Sequence, residues 1–269
     1  MSNTIENRID EVSKYYQPAV IFEKVMSCLF YLIAITSIFI LFEDLPLPKY
    51  KQLVQPGFIV VVVVYFIISQ TSRFYLIPKA EKMRRRQMLS NSFGAPISHD
   101  NTSLYYNNQY EPSIQRLGAN TFENSLFSKE IASKMLFGKR LITGIYFIAW
   151  LIAFSLSQKN IEVLICITQL FFSGEILAQW INLEVLRFRH ESTYDQLHHY
   201  YYHRIGDDSN YSLATILDAF VSYESAKSSA GLLLSSKTFN ILNPSLTDKW
   251  NQIRKELKMD FQPDITPDS

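Results

Sequence analysis

The sequence predicts an all-α membrane protein with four transmembrane helices in two hairpins. A cytoplasmic helical insert separates the hairpins, and a helical C-terminal region follows them. Three observations carry this expectation. Four runs of 18 to 21 residues, Val25–Phe42, Gln52–Ser72, Leu141–Gln158 and Val163–Leu183, contain a single Asp, Glu, Lys or Arg among them, Glu175. About 20 apolar residues cross a hydrocarbon core of roughly 30 Å, whereas buried core helices are more often interrupted after about 10 to 14. The rest of the chain is as polar as a soluble protein, so the mean hydropathy near zero hides strong segregation. Finally, Lys79, Lys82, Arg84, Arg85, Arg86, Lys139, Arg140, Arg187 and Arg189 flank the runs on one side, against Lys49, Lys51 and Lys159 on the other. By the positive-inside rule both termini and the insert are cytoplasmic, in a multi-pass protein of the cell inner membrane.

Taken in order, residues 1–24 carry Ile5, Ile9, Val12 and Tyr16 at helical spacing, which predicts a short amphipathic helix broken at Pro18. Residues 25–78 form the first transmembrane hairpin, its second helix extending to Pro78. Its connector, LPLPKYKQLVQPG, is rich in turn formers. The β-branched run Ile59–Val64 would suggest a strand in water, but lipid enforces helix because backbone groups must pair internally. The insert, 79–140, begins with a basic helix that stops at Gly94. An irregular stretch follows, and then a helix capped by Asn120 or Thr121, with Phe122, Leu126, Phe127, Ile131 and Met135 on its apolar face and Gly138 at its end. The second hairpin occupies 141–183. From Val163 the helical pattern continues to Ile205, a rod of about 65 Å. Within the stalk and C-terminal helices, 184–260, Leu213, Ile216, Leu217, Phe220 and Val221 are expected on one face. A last helix is expected to start at the Ser245-Leu-Thr-Asp248 capping pattern and end near Lys258. The tail, 261–269, reads as disordered.

The fourth run holds the most specific candidate site. Thr168, Phe172, Glu175, Gln179 and Asn182 fall on one helix face, a polar seam between apolar flanks. Such a seam either glues helices together or lines a conduction path, with Thr168, Glu175, Gln179 and Asn182 as pore-lining residues. Arg84, Arg85 and Arg86 are candidates for binding a phosphate-bearing ligand or anionic headgroups, or act only as determinants of orientation. Glu191, Asp195, His199 and His203 recur every four residues along one face. Of these His199 and His203, with Asp195, have the spacing of a metal site, although solvated polar faces carry the same pattern. Tyr194 and Tyr200 to Tyr202 suit packing of the stalk, or stacking on a base.

The net charge of +1, with no separate basic domain, argues against a nucleic-acid polymer as partner. Cys28 and Cys166 both fall inside apolar runs, so no disulfide scaffold is expected. The first run follows a polar stretch and has no small-residue cleavage site after it, which predicts a retained anchor. The eight glycines form no phosphate-cradling loop and there is no G-x-S-x-G elbow, so no cofactor and no nucleophilic enzyme are expected.

The order of segments, with MRRRQMLSNSFG at 83–94, YYNNQ at 105–109 and RLGANTFENSLFSKEIASKM at 116–135, resembles the bacterial four-transmembrane effectors encoded beside cyclic-oligonucleotide synthases in antiphage systems. The resemblance is architectural and brings no functional residue with it. It implies a homo-oligomeric pore former in the lipid bilayer. A cytoplasmic trigger, a cyclic nucleotide or a protein, would reorganise its helices and arrest the infected cell. Two other readings stay open, a metal-dependent membrane enzyme using the His199/His203 face and a non-catalytic anchor whose insert docks a partner.

Overall fold

The computed structural model describes residues 9–41, 48–100, 102–103, 106, 110–155, 161, 164–165, 167–168, 176–203 and 209–259. Those residues are helical apart from a two-residue antiparallel ladder, β1 (Ile9–Asp10) with β2 (Thr102–Ser103), a 3-10 turn (Glu11–Tyr15) and connectors. The helices are α1 (Gln17–Leu41), α2 (Pro48–Thr71), α3 (Ile77–Phe93), α4 (Ile114–Ser155), α5 (Leu177–His203), α6 (Ser209–Ala230) and α7 (Ser236–Glu256).

Three helical stretches, Gln17–Ser37, Val54–Phe93 and Ile114–Ser155, are long and apolar enough to cross a membrane. Their large apolar side chains face outward, among them Ile35, Ile59, Phe66, Ile148 and Phe154, each more than half exposed. A soluble surface rarely carries apolar patches of this extent, and a bilayer is the solvent that suits them. Residues 163, 166 and 169–175 of the fourth run, Glu175, Phe172 and Cys166 included, lie outside the described residues. Thr168, at the end of one described piece, accepts a hydrogen bond from Trp150 Nε1 at 2.9 Å. Further down, Gln179 Oε1 accepts one from Lys139 Nζ at 2.5 Å. The two pairs are equally spaced on α4 and on the returning chain, as an antiparallel hairpin requires.

Several expected boundaries give way to longer helices. Pro18 does not break a helix; it sits in the first turn of α1, where its missing N–H would have no intrahelical acceptor anyway. Residues 9–15 form the strand and 3-10 turn, not an amphipathic helix, and Ile5 lies outside the described residues. Pro78 does not end the second span either. A π-helical turn at Ser72–Leu76 shifts the ladder one residue ahead of the proline, with Ile77 N–H bonding Ser72 O, and the chain stays helical from α2 into α3. The true stop is Gly94 at φ 62°, a left-handed C-cap that glycine adopts without strain.

The insert helix and the third span are likewise one helix, α4, of 42 residues. Its cap is Ser113, whose Oγ accepts from Arg116 N–H at 3.3 Å. The expected caps lie in the interior of the helix. Asn120 donates to Ser92 Oγ at 2.9 Å, and Thr121 donates to the Leu117 carbonyl one turn back. Gly138 passes through mid-helix in open space, at a cost of only about 1 kcal/mol relative to alanine. The last helix starts at Ser236 rather than Ser245, with Ser235 Oγ accepting from Thr238 N–H at 3.2 Å. The long rod is interrupted as well, since a bend at Ile176 precedes α5.

Most of the core lies where α4, α5, α6 and α7 meet. Phe122 is fully buried between Tyr201, stacked at 5.7 Å, and Trp250, edge-on at 5.2 Å. The expected α4 face is confirmed: Phe122, Leu126 and Ile131 are buried, and Phe127 and Met135 pack beside them. Tyr200 and Tyr201 are buried in the same core, whereas Tyr202 is exposed. On α6 the buried residues include Ile216, Ala219, Phe220, Tyr223 and Ala226, so the expected Ile216 and Phe220 face the core while Leu213, Leu217 and Val221 point outward.

Candidate functional site

One cavity, about 620 Å³, lies where these helices converge. Its wall draws on the start of α1 (Val20, Ile21, Lys24), α3 (Glu81, Arg84), α4 (Ser128, Ile131), α5 (Leu186, His190), α6 (Tyr223, Lys227) and the connector into α7 (Leu232 to Ser235). The lining is mainly apolar, and two sets of polar groups stand at it.

The first set is an ion triad. Lys227 Nζ lies 2.7 Å from Glu81 Oε2 and 2.9 Å from Glu224 Oε1, and its side chain is 13% exposed. Burial alone would lower the pKa of the ammonium. The two carboxylates outweigh that and hold the Lys227 pKa well above the ordinary lysine value. Burial raises Glu224, against the pull of Lys227. Nearby, Arg84 grips Asp10 through two hydrogen bonds of 2.8 Å and lies over the Tyr16 ring. That contact fastens the N-terminal strand to α3.

The second set is neutral. Ser128 and Tyr223 share a hydroxyl hydrogen bond of 3.1 Å, and burial raises the Tyr223 phenol to about 12. His190 is fully buried with its ring 4.9 Å from that of Tyr223. Neither of its nitrogens has a hydrogen-bond partner among the described residues. Burial, helped by the Lys227 charge, lowers its pKa to about 3, so the imidazole is neutral at physiological pH.

This has a measurable consequence. An unfolded chain takes up a proton at His190 below a pH of about 6.5, while the folded chain resists until about 3. Stability should therefore fall with pH through that window, by up to about 1.4 kcal/mol per unit from this residue. His190→Phe should flatten the fall in melting temperature between pH 7 and pH 5. An unchanged slope would contradict the burial of a neutral ring.

The arginine triplet is split by helix geometry, because successive residues project about 100° apart. Arg84 lines the cavity, Arg85 is half-buried, and Arg86 is exposed. His199 and His203 bring their rings within 4.3 Å of each other on the exposed side of α5, and Asp195 is exposed on the same helix. Among the described residues no group of three potential ligands could hold a metal ion. Thr168 and Gln179 of the seam face α4 through the bonds above, and Asn182 is half-buried.

Neither family models, nor curated proteins, nor solved structures show a match to this chain.

Sequence reasoning missed the triad and His190. His190 was legible in one respect: Leu183, Leu186, His190, Thr193 and Leu197 fall on one stripe of α5, all buried, so the histidine interrupts a core face. Glu81, Glu224 and Lys227 lie on two helices and form no local motif. Among the described residues His190 is not hydrogen-bonded to any hydroxyl or thiol.

Proposed function

We propose that this chain is a membrane effector whose water-side helical module takes up a trigger and, on doing so, permeabilises the membrane. The observation that supports this is the convergence on the cavity of every helix that carries an apolar run. The span of α1 starts at it, α2 reaches it through α3, the span of α4 continues from it, and α5 leads to it from the fourth run. α1 and α4 run without a break from the cavity wall into their apolar stretches, so a shift in that wall can pass along them. The resemblance to antiphage effectors supplies the context, an inner-membrane protein with cytoplasmic termini that self-associates and arrests the cell. In the conformation described, Thr168 and Gln179 are engaged with α4, which fits a closed state. Opening would part that seam and present Thr168, Glu175, Gln179 and Asn182 to a lumen shared between subunits, where a ring of carboxylates would favour cations.

Induced expression in cells, followed with a membrane-potential dye, tests the output. Depolarisation that Glu175→Leu abolishes is expected; full depolarisation by that variant would move the path away from the seam. Orientation is tested with an impermeant maleimide in a background lacking Cys28 and Cys166. Lys51→Cys should react in intact cells, and the exposed Lys82→Cys only after permeabilisation. The reverse pattern would overturn the cytoplasmic assignment.

A further inference from the structure

We infer that the cavity is a site for an uncharged amphiphile, a hydrocarbon body with a carbonyl- or hydroxyl-bearing head that hydrogen-bonds His190. The inference deepens the trigger-site reading above and rests on it for its consequence, though binding itself can be measured separately.

Four observations lead to this class of ligand. Size comes first: 620 Å³ falls within the roughly 300–1,000 Å³ of small-molecule sites. Electrostatics come next. Arg84 is paired with Asp10, and Lys227 with Glu81 and Glu224, so the two least exposed cations of the wall are already matched by carboxylates, while Lys24 stands exposed at the mouth. A polyanion such as a cyclic dinucleotide would have to displace those partners or sit beside them. The third observation is His190, a fully buried neutral imidazole that lines the cavity with both nitrogens unpartnered among the described residues. A neutral imidazole offers one donor and one acceptor, which suits a carbonyl, a hydroxyl or both. Leaving such a group desolvated and unpaired is costly, and a ligand head relieves the cost.

The fourth observation is the mouth. Ile21 and Lys24 of α1 and Ser236 of α7 line the cavity and are themselves exposed, so it opens beside the first turns of α1. Those turns belong to the candidate span Gln17–Ser37. The opening is thus at the base of an apolar helix, where amphiphiles concentrate, and the wall around it, Val20, Ile131, Leu186 and Leu232 to Leu234, is hydrocarbon.

The test uses the full chain in phosphatidylcholine nanodiscs and a monooleoylglycerol carrying a diazirine in its acyl chain. After irradiation, mass spectrometry should find the label on Leu186 and on Leu232 to Ser235. Unlabelled monooleoylglycerol should displace it and cyclic di-adenylate should not. His190→Phe keeps the ring volume and removes the polar atoms. It should fold and should weaken displacement three- to tenfold, the worth of one neutral hydrogen bond. Ile131→Trp, which fills the cavity, should remove the label there. Label confined to the outward faces of the spans, unchanged displacement in His190→Phe, or stronger displacement by cyclic di-adenylate would each overturn the inference. Correct labelling with no effect on ion efflux would leave the inference standing and sink the trigger-site reading. Efflux gated by cyclic di-adenylate and abolished by Ile131→Trp, with no lipid label in the cavity, would sink the inference and leave the trigger-site reading standing.

Discussion

Replacing Lys227 with methionine is expected to lower the stability of the helical module around the cavity by about 3–5 kcal/mol, the range for breaking a buried ion pair by removing one partner. Glu81 Oε2 and Glu224 Oε1 both approach the same ammonium, at 2.7 and 2.9 Å, so its loss leaves two carboxylates facing each other with little water to screen them. Burial already pushes Glu224 toward protonation, and the lysine opposes it. Without the lysine the carboxyl takes up a proton, and the deficit should shrink as pH falls. Adding Glu224→Gln to Lys227→Met should recover part of the melting temperature at neutral pH. A single variant as stable as wild type would mean that the triad is solvated and not buried.

Trp250→Ala is expected to cost a similar 3–5 kcal/mol, as large-to-small changes at fully buried aromatics do. Trp250 is the main anchor of α7, set edge-on against Phe122, which also contacts Tyr194 and Tyr201. Removing it opens a cavity at the junction of α4, α5 and α7. Amide exchange in α7 should then rise before that in α4. Trp250→Phe should keep most of the loss at bay, because a ring still meets Phe122. Equal exchange rates in the alanine variant and wild type would show that α7 is held by other contacts.

The apolar runs were legible in the sequence because a long uncharged stretch is a matter of composition alone, and three helical stretches carry it. Helix boundaries were not. Gly138, Asn120, Thr121 and Pro78 all carry local signals for a start or stop, and each is overridden in a different way. Gly138 costs too little to break a 42-residue helix, and Asn120 is satisfied by Ser92 across the helix interface. The π turn at Ser72–Leu76 absorbs the missing donor of Pro78. The candidate site was hidden for a related reason. Ser128, His190, Tyr223 and Lys227 come from three helices far apart in the chain, and only packing brings them together. The conspicuous histidines, His199 and His203, are the exposed ones, while the buried His190 lies unremarked on a leucine stripe.

The central claim is that the cavity and the spans act as one device, and dye efflux from liposomes reconstituted with the full chain tests it most directly. Wild-type protein should release an entrapped small dye or cation when monooleoylglycerol is added, with a rate that rises more than linearly with protein-to-lipid ratio. Ile131→Trp, incorporated to the same level and equally helical by circular dichroism, should leave the vesicles sealed. If the filled-cavity variant releases contents as fast as wild type, or neither does at any protein density, the cavity does not control the membrane.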